Sequence, residues 1–291
     1  MKPSFKSVDL FKRLPKDLTE GTYSGAILSI IGLMVMISLI MFEVSAFFDE
    51  RVTSVLKIEQ VDPSTKMYIN IDIDFPATPC DVISLDIQDE MGSHMVDVGD
   101  SLKKVRKNTK KGKTDVVDSA IGGGNRSGNS IVQRAIEAFE AGEGCSLKGF
   151  ISVNRVPGNF HIGSHAYSQL LGMIGKGINL THTINHLSFG KKRHIAAIEN
   201  KFEQKIGELM PLNGRSEISE RIGKKTKYHL KLVPTNYRDS FGLKYPVHQF
   251  TFAAGSEYTG NEIIYFDFDL IGVTVDYYQT ADTIFEFIIG I

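Results

Sequence analysis

MYINIDIDF, the segment Met67–Phe75, alternates apolar side chains with polar or amphipathic ones. In an extended chain successive side chains point to opposite faces, so the odd-numbered residues share one face and the even-numbered residues the other. This pattern predicts a β-strand with one face in a core and one face in water.

The same alternation recurs in further segments along the chain. They are Ile83–Gln88, Phe150–Val153, Tyr228–Val233, His248–Phe252 and Ile264–Tyr278. Apart from the segment 131–141, no helical patterns of about ten residues separate them, which argues against βαβ units and favours antiparallel pairing. The predicted fold class is therefore mainly β, an antiparallel β-sandwich with a few helices.

An uncharged apolar run, Gly21–Phe42, precedes these strands. As a helix it rises about 33 Å, at about 1.5 Å per residue, and so exceeds a hydrocarbon core of about 30 Å. Core helices of soluble proteins rarely run this long without a charge. We expect a transmembrane helix within residues 21–48.

The charges beside this run predict its orientation. Cations are concentrated ahead of it, at Lys2, Lys6, Lys12, Arg13 and Lys16. By the positive-inside rule residues 1–20 stay in the cytosol and residues 49–282 form a β-rich domain in the lumen. A cleaved signal peptide ending near Val44–Ala46 is the alternative, but signal h-regions usually span only about 7–15 residues.

The cysteine count is two, Cys80 and Cys145, which leaves no CxxC or Cys/His zinc spacing. In an oxidising lumen we expect a disulfide between them. In the chain-entropy model it would add about 4 kcal/mol to the free energy of unfolding. Two separate buried thiols are the alternative.

The basic stretch 102–130 interrupts the strand pattern. It holds Lys103, Lys104, Arg106, Lys107, Lys110, Lys111 and Lys113, followed by Gly122, Gly123 and Gly124. Like-charge repulsion and glycine entropy predict a mobile loop, with a contact to lipid headgroups or an acidic partner as the alternative.

The segment 131–141 that follows, IVQRAIEAFEA, places its apolar residues on one helical stripe. We expect a helix there, capped by Asn129 or Ser130. Docking on the sheet is the expected role of its stripe, and a groove for a partner is the alternative.

Asn125 and Asn179 each begin a glycosylation sequon, which becomes meaningful only in a luminal domain. Asn125 lies in the predicted mobile loop and is expected to be the more accessible one. Chance occurrence is the alternative for both.

Two histidine pairs, His161/His165 and His182/His186, have the i, i+4 spacing that can share a metal on a helix. Neither pair has the Glu of an HExxH site, and in a strand this spacing separates two rings by about 13 Å. We predict no metal ligands. All four histidines are candidate pH sensors, since imidazole titrates near neutral pH, with satisfied structural histidines as the alternative.

No nucleophile elbow, P-loop or dinucleotide fingerprint is found, so no catalytic or cofactor-binding residue is predicted. The formal net charge of −1 gives no electrostatic argument for nucleic-acid binding.

Three strings carry a family resemblance: GCSLKGFISVNRVPGNFHIGSH at Gly144–His165, NLTHTINHLSFG at Asn179–Gly190 and YHLKLVP at Tyr228–Pro234. Further matches are DLFKRLPKDL ahead of the apolar run, FPATPCDVISLDIQDEMG at Phe75–Gly92 and YFDFDLIGVTVDY at Tyr265–Tyr277. They resemble the membrane proteins of the ER–Golgi intermediate compartment, a family of ER-vesicle cargo receptors.

The resemblance implies a luminal β-rich domain between two spans, and cycling between ER and Golgi in coated vesicles. It also implies a related paralogue as partner, luminal cargo bound with sensitivity to pH, and coat contacts through cytosolic ends. The Cys-rich insertion of the larger paralogue is missing. Residues 283–291 look like the start of the second span and are too short to cross a bilayer alone.

We therefore expect a non-catalytic membrane receptor, or receptor subunit, for luminal proteins, located in the ER, the intermediate compartment and the Golgi. A structural subunit of a larger membrane assembly is the alternative function. A metal-dependent enzyme is the third candidate.

Overall fold

The structure, a computed structural model, describes residues 23–47, 51–58, 65–90, 94–95, 101–108, 113–117, 128–202 and 209–280. The chain divides into two compact units, one of residues 1–51 with 281–291 and one of residues 52–280.

Helix α1, Tyr23–Phe47, is the described part of the first unit together with Arg51. It has 25 residues, none of them buried. Within the described ranges it is the one helix that is long and apolar enough to cross a membrane. Its apolar residues occur all round the helix, as they do in membrane spans.

The second unit is built mainly from strands. They are β1 Arg51–Ile58, β2 Lys66–Phe75, β3 Ser84–Asp89, β4 His94–Met95, β5 Leu102–Asn108, β6 Lys113–Val117, β7 Glu143–Asn154, β8 Gly158–Gly163, β9 His182–Gly190, β10 Arg215–Glu217, β11 Lys224–Arg238, β12 Lys244–Tyr258, β13 Ile263–Leu270 and β14 Val273–Thr280. The helices are α2 Gly128–Ala141, α3 Ser168–Ile174 and α4 Lys192–Phe202, with short 3-10 turns at Cys80–Val82 and His165–Tyr167. The mainly β class expected from the sequence is confirmed.

All the described strands belong to one 14-stranded sheet. Its main order is β4-β3-β8-β13-β11-β12-β9-β2-β7-β5-β6, with β1 on β14, β14 on β11 and β10 on β9. Most neighbours are antiparallel, but β11 runs parallel to both β13 and β14. This happens because β12 returns along one edge of β11, and the chain then turns back to run beside the other edge.

The predicted run Ile264–Tyr278 is split into β13 and β14 around Ile271 and Gly272. β13 pairs with the first half of β11 and β14 with the second half, in the same direction. Together they act as one interrupted strand along β11.

The sheet curls, so that strands far apart in its order line the same core. In β2 the odd-numbered residues are buried as predicted, with Ile69, Ile73 and Phe75 fully inaccessible. They share one apolar cluster with Phe160 of β8 and Phe266 of β13. Lys104 Nζ on β5 donates to the carbonyl of Ile83 at 2.6 Å, just ahead of β3, so the opposite ends of the order approach each other. The layers of the expected sandwich are thus parts of a single sheet.

A smaller apolar cluster lies under α4. Ile195, Ile198 and Phe202 pack with Tyr237 of β11 and Val247 of β12. These three helix residues recur at helical spacing, which is how α4 buries one face.

The mobile loop predicted for 102–130 is wrong where the structure describes it, because β5 and β6 form an antiparallel pair and β5 also pairs with β7. Carboxylates from other elements offset the expected repulsion. Arg106 contacts Asp81 at 2.6 Å and Glu143 at 2.9 Å, and Lys107 contacts Asp74 at 2.6 Å. Residues 109–112 and 118–127 lie outside the described residues.

The helix predicted at 131–141 begins earlier, at Gly128, so Asn129 and Ser130 lie inside α2 rather than ahead of it. Ala135 and Ala138 are buried, and Phe139 packs against the main core. The apolar stripe therefore docks on the body of the protein.

Candidate functional site

The face of β3, β8, β13 and β11 that points away from the main core carries polar side chains in register, and we call it the polar face; its members Asp86 and His161 are themselves buried. One row across the strands is Asp86, His161, Tyr265 and Lys227, and the next is Gln88, Asn159, Asp267 and His229. Because side chains alternate along a strand, positions two residues apart share this surface. A cavity of about 620 Å³ opens on it and is lined by residues that include Lys227, His229, Tyr265 and Asp267.

His161 lies at the centre of the first row and is 7% exposed. Its Nε2 lies 3.5 Å from Asp86 Oδ2, and its Nδ1 lies 3.2 Å from Asn159 Oδ1. Its ring centroid is 5.1 Å from that of Tyr265. The imidazole therefore has polar partners on its own strand and on β3, and a ring contact on β13.

His161 and His165 lie close together, with ring centroids 5.5 Å apart. The separation of about 13 Å expected for a continuous strand is wrong. β8 ends at Gly163, and the 3-10 turn that starts at His165 folds the second ring back toward the first. The structure thus brings one predicted histidine pair together at the edge of the polar face.

His229 was not predicted as a site residue, although it lies in the YHLKLVP string. Its Nδ1 is 3.4 Å from Asp267 Oδ2, and Lys227 Nζ is 2.7 Å from the same oxygen. Its side chain is 57% exposed. Its outward position in the alternating run Tyr228–Val233 was the available signal.

Protonation of these histidines changes the charge of the polar face. A proton on His161 would be placed beside Asp86, and one on His229 beside Asp267. Imidazole is the side chain whose ordinary charge change lies between about pH 5 and 8.

A bulge in β9 separates the other histidine pair. Its register with β2 shifts between Asp72 and Ile73, so His182 points inward and His186 outward. His186 Nε2 lies 2.8 Å from Ser188 Oγ, and burial lowers the pKa of His186. His182 is 1% exposed, and burial lowers its pKa as well. Neither residue joins the polar face.

The sequon at Asn179 is engaged in the folded chain. Asn179 Nδ2 donates to the carbonyl of Ser219 at 3.0 Å, and Thr181 Oγ1 accepts from the Ser219 amide at 2.9 Å. Both sequon side chains thus hold the segment before β11. Asn125 lies outside the described residues.

Cys80 and Cys145 are joined in the structure, with their Cα atoms 4.8 Å apart. The bond links the 3-10 turn ahead of β3 to the start of β7, and both residues are almost fully buried. In the described ranges no three His, Cys, Asp or Glu side chains are grouped so as to hold a metal ion.

A buried carboxylate that sequence reasoning missed, Glu262, is 9% exposed. It accepts hydrogen bonds from the amides of Leu180 at 2.7 Å and Gly223 at 3.2 Å, while burial raises its pKa. Gly223 has φ of 91°, and a Cβ there would lie 2.9 Å from the Gly260 backbone. Glu262 therefore fixes a turn that only glycine fits.

Two family descriptions match the chain. "Endoplasmic Reticulum-Golgi Intermediate Compartment (ERGIC)" matches residues 5–96, and "Endoplasmic reticulum vesicle transporter" matches residues 127–291, more than half of the chain. The chain belongs to the endoplasmic reticulum vesicle transporter family.

Relatives in this family align with most of the chain. Endoplasmic reticulum-Golgi intermediate compartment protein 1 of Xenopus laevis is 29% identical, over 98% of this chain and 86% of that protein. ER-derived vesicles protein ERV46 of Saccharomyces cerevisiae is 24% identical, over 79% of this chain and 74% of that protein. These matches confirm the resemblance of the three strings and place the chain in the membranes of ER–Golgi transport.

A solved structure shares the fold of this chain. The crystal structure of Erv41p superimposes with a TM-score of 0.52, covering 77% of this chain and 98% of that chain, at 18% identity. The curled, mainly β body is thus a fold found in Erv41p.

Proposed function

We propose that this protein is a non-catalytic receptor, or receptor subunit, that binds luminal proteins for vesicle transport between ER and Golgi. The observation that carries the proposal is the polar face, with a cavity of about 620 Å³ beside His229 and Asp267. Family membership supports the pathway, and this open, polar concavity supports protein recognition.

The proposal includes a membrane topology. Residues 1–20 are cytosolic, 21–48 cross the membrane, 49–282 are luminal and 283–291 begin a second span. The apolar residues of α1, which carries no charge before Glu43, support the crossing. A related chain is the proposed partner in the membrane, and coat proteins are the proposed partners of the cytosolic ends.

In this proposal the histidines of the polar face make the affinity for a luminal partner depend on pH. If His161 and His229 take up protons on acidification, positive charge is added beside Asp86 and Asp267. The face then becomes more positive, because Lys227 already lies beside Asp267. A luminal partner with an acidic surface is therefore held more tightly in the more acidic compartment.

The test is recovery of luminal proteins with the full chain, purified in detergent at about pH 7 and about pH 6. We expect greater recovery at the lower pH, and expect the double variant His161→Gln, His229→Gln to lose that difference. His186→Gln is the matched control, because it removes an outward histidine from β9. Recovery of no luminal protein at either pH would contradict the receptor, and a pH difference that is lost only in His186→Gln would move the sensor to β9.

A further inference from the structure

A second cavity, of about 370 Å³, lies where the start of α4 meets β2, β11 and β12. Its lining includes four cationic side chains from separate parts of the chain, Lys66, Arg155, Lys191 and Lys244. None of the described residues that line it is a carboxylate. We call it the basic cavity.

A buried histidine lines the basic cavity. His248 is 9% exposed, and neither its Nδ1 nor its Nε2 has a hydrogen-bond partner among the described residues. Burial and the nearby charge of Arg155 lower its pKa to about 3; the Phe189 backbone opposes this shift without a well-formed hydrogen bond. An unsatisfied buried polar group costs free energy, which a ligand can recover.

The first turn of α4 adds positive potential to the same cavity. Gly190 and Lys191, directly ahead of the helix, line it, and so does His194 in the first turn. Amide groups at a helix N-terminus and the helix dipole both favour an anion.

We propose that the basic cavity binds the phosphate group of a small molecule. Several cations from different elements suit a doubly charged oxyanion with acceptors in several directions, and arginine adds a bidentate donor. The volume lies at the lower end of the range for small-molecule sites. None of these residues belongs to the polar face, so the proposal does not rest on the receptor function.

Binding of an anion in the basic cavity and protonation of His248 should each favour the other. An anion beside the imidazole stabilises its charged form, whereas the cations that surround it disfavour that form in the empty cavity. The titratable groups around it are Lys66 and Tyr68 on β2, Arg155 after β7, Lys191 and His194 at α4, and Lys244 on β12. Lys66 is held by Asn154 Oδ1 at 2.7 Å, and His194 Nδ1 lies 3.2 Å from the carbonyl of Pro246.

The experiment titrates the full chain in detergent with inorganic phosphate by calorimetry, at an ionic strength held constant with chloride. We expect saturable binding that weakens about tenfold in Arg155→Gln and in Lys191→Gln, since each loses a charge-assisted contact. Lys227→Gln, which removes a cation from the polar face, is the matched control and should bind as the wild type does. Because Lys191 is exposed, its variant decides the question even where Arg155→Gln fails to fold.

Two further measurements identify the class of ligand and the residue that takes up a proton. Glycerol 3-phosphate, as a mimic of a lipid headgroup, is compared with phosphate, and acetate tests a carboxylate. Sulfate keeps its charge between about pH 7 and pH 5, so tighter sulfate binding as the pH falls reports protonation of the protein, and His248→Gln should abolish that gain. Absence of saturable phosphate and sulfate binding to the wild type, stronger binding of acetate than phosphate, or unchanged phosphate binding in Lys191→Gln would overturn the proposal.

Discussion

His182 and Tyr228 form a buried hydrogen bond, with His182 Nε2 2.9 Å from Tyr228 Oη. His182 Nδ1 lies 2.8 Å from the carbonyl of Leu180, which can only accept, so Nδ1 carries the proton and Nε2 accepts from the phenol. Burial lowers the pKa of His182 and raises that of Tyr228 to about 12. Both groups are therefore neutral parts of the core.

The first prediction concerns this hydrogen bond. Tyr228→Phe leaves His182 Nε2 without a donor in the core, so we expect the free energy of unfolding to fall by about 1–3 kcal/mol. Urea denaturation of the full chain measures it. Tyr258→Phe, at an exposed position on β12, is the control and should stay within about 0.5 kcal/mol of the wild type. Equal stability of the two variants would mean that the core bond contributes nothing.

The second prediction concerns acid sensitivity. Burial holds the folded-state pKa of His248, about 3, below the unfolded value of about 6.5, so the unfolded chain takes up the proton first. Stability is therefore complete above about pH 6.5 and falls as the pH drops, by about 2 kcal/mol from this residue between pH 7 and pH 5. Denaturation in phosphate-free buffer should show a shallower pH dependence for His248→Gln. An unchanged dependence would argue against a buried neutral imidazole.

The third prediction concerns Cys80 and Cys145. We expect the purified chain to show no reactive thiol after unfolding without reductant, and two after reduction, by mass spectrometry of alkylated protein. The double variant Cys80→Ala, Cys145→Ala should lose about 4 kcal/mol in the chain-entropy model. Reductant provides the control, since it should destabilise the wild type and leave the variant unchanged. Two alkylated cysteines before reduction would contradict the bridge.

The fourth prediction concerns the pairing of β5. Arg106 is partly buried between Asp81 and Glu143, so Arg106→Met leaves two carboxylates without their cation. We expect faster amide hydrogen exchange across Leu102–Asn108. Lys103→Met, at an exposed position on the same strand, should preserve the protection. If the wild type itself exchanges there as an unfolded chain does, the stretch is mobile after all.

The sequence predicts those parts of the fold that depend on local patterning. The alternation in Met67–Phe75 assigns its buried face correctly, and the apolar stripe after Gly128 predicts the helix. Local patterning fails where contacts with residues distant in the sequence determine the structure. From the sequence alone, the lysines and arginine of β5 are expected to repel one another. The fold places Asp74, Asp81 and Glu143 beside Arg106 and Lys107 and so offsets this repulsion.

The local sequence pattern also predicts part of the candidate site. His161 and His165 were singled out by their spacing, but their proximity depends on the turn after Gly163. The bulge opposite Asp72 sends His182 and His186 to different sides, which no spacing rule reveals. His229 and His248 stood alone in their segments, and only the packing of neighbouring strands shows what surrounds them.

The most direct test of the account asks which side of the membrane holds the β-rich unit. The sequence has two cysteines, both bonded, so a single Ser240→Cys at an exposed turn supplies one reactive thiol. In sealed microsomes we predict that an impermeant maleimide labels it only after the membrane is permeabilised. Ser7→Cys, which lies ahead of the apolar run, should be labelled at once. Labelling of Ser240→Cys in intact vesicles would place this unit in the cytosol and contradict a receptor for luminal proteins.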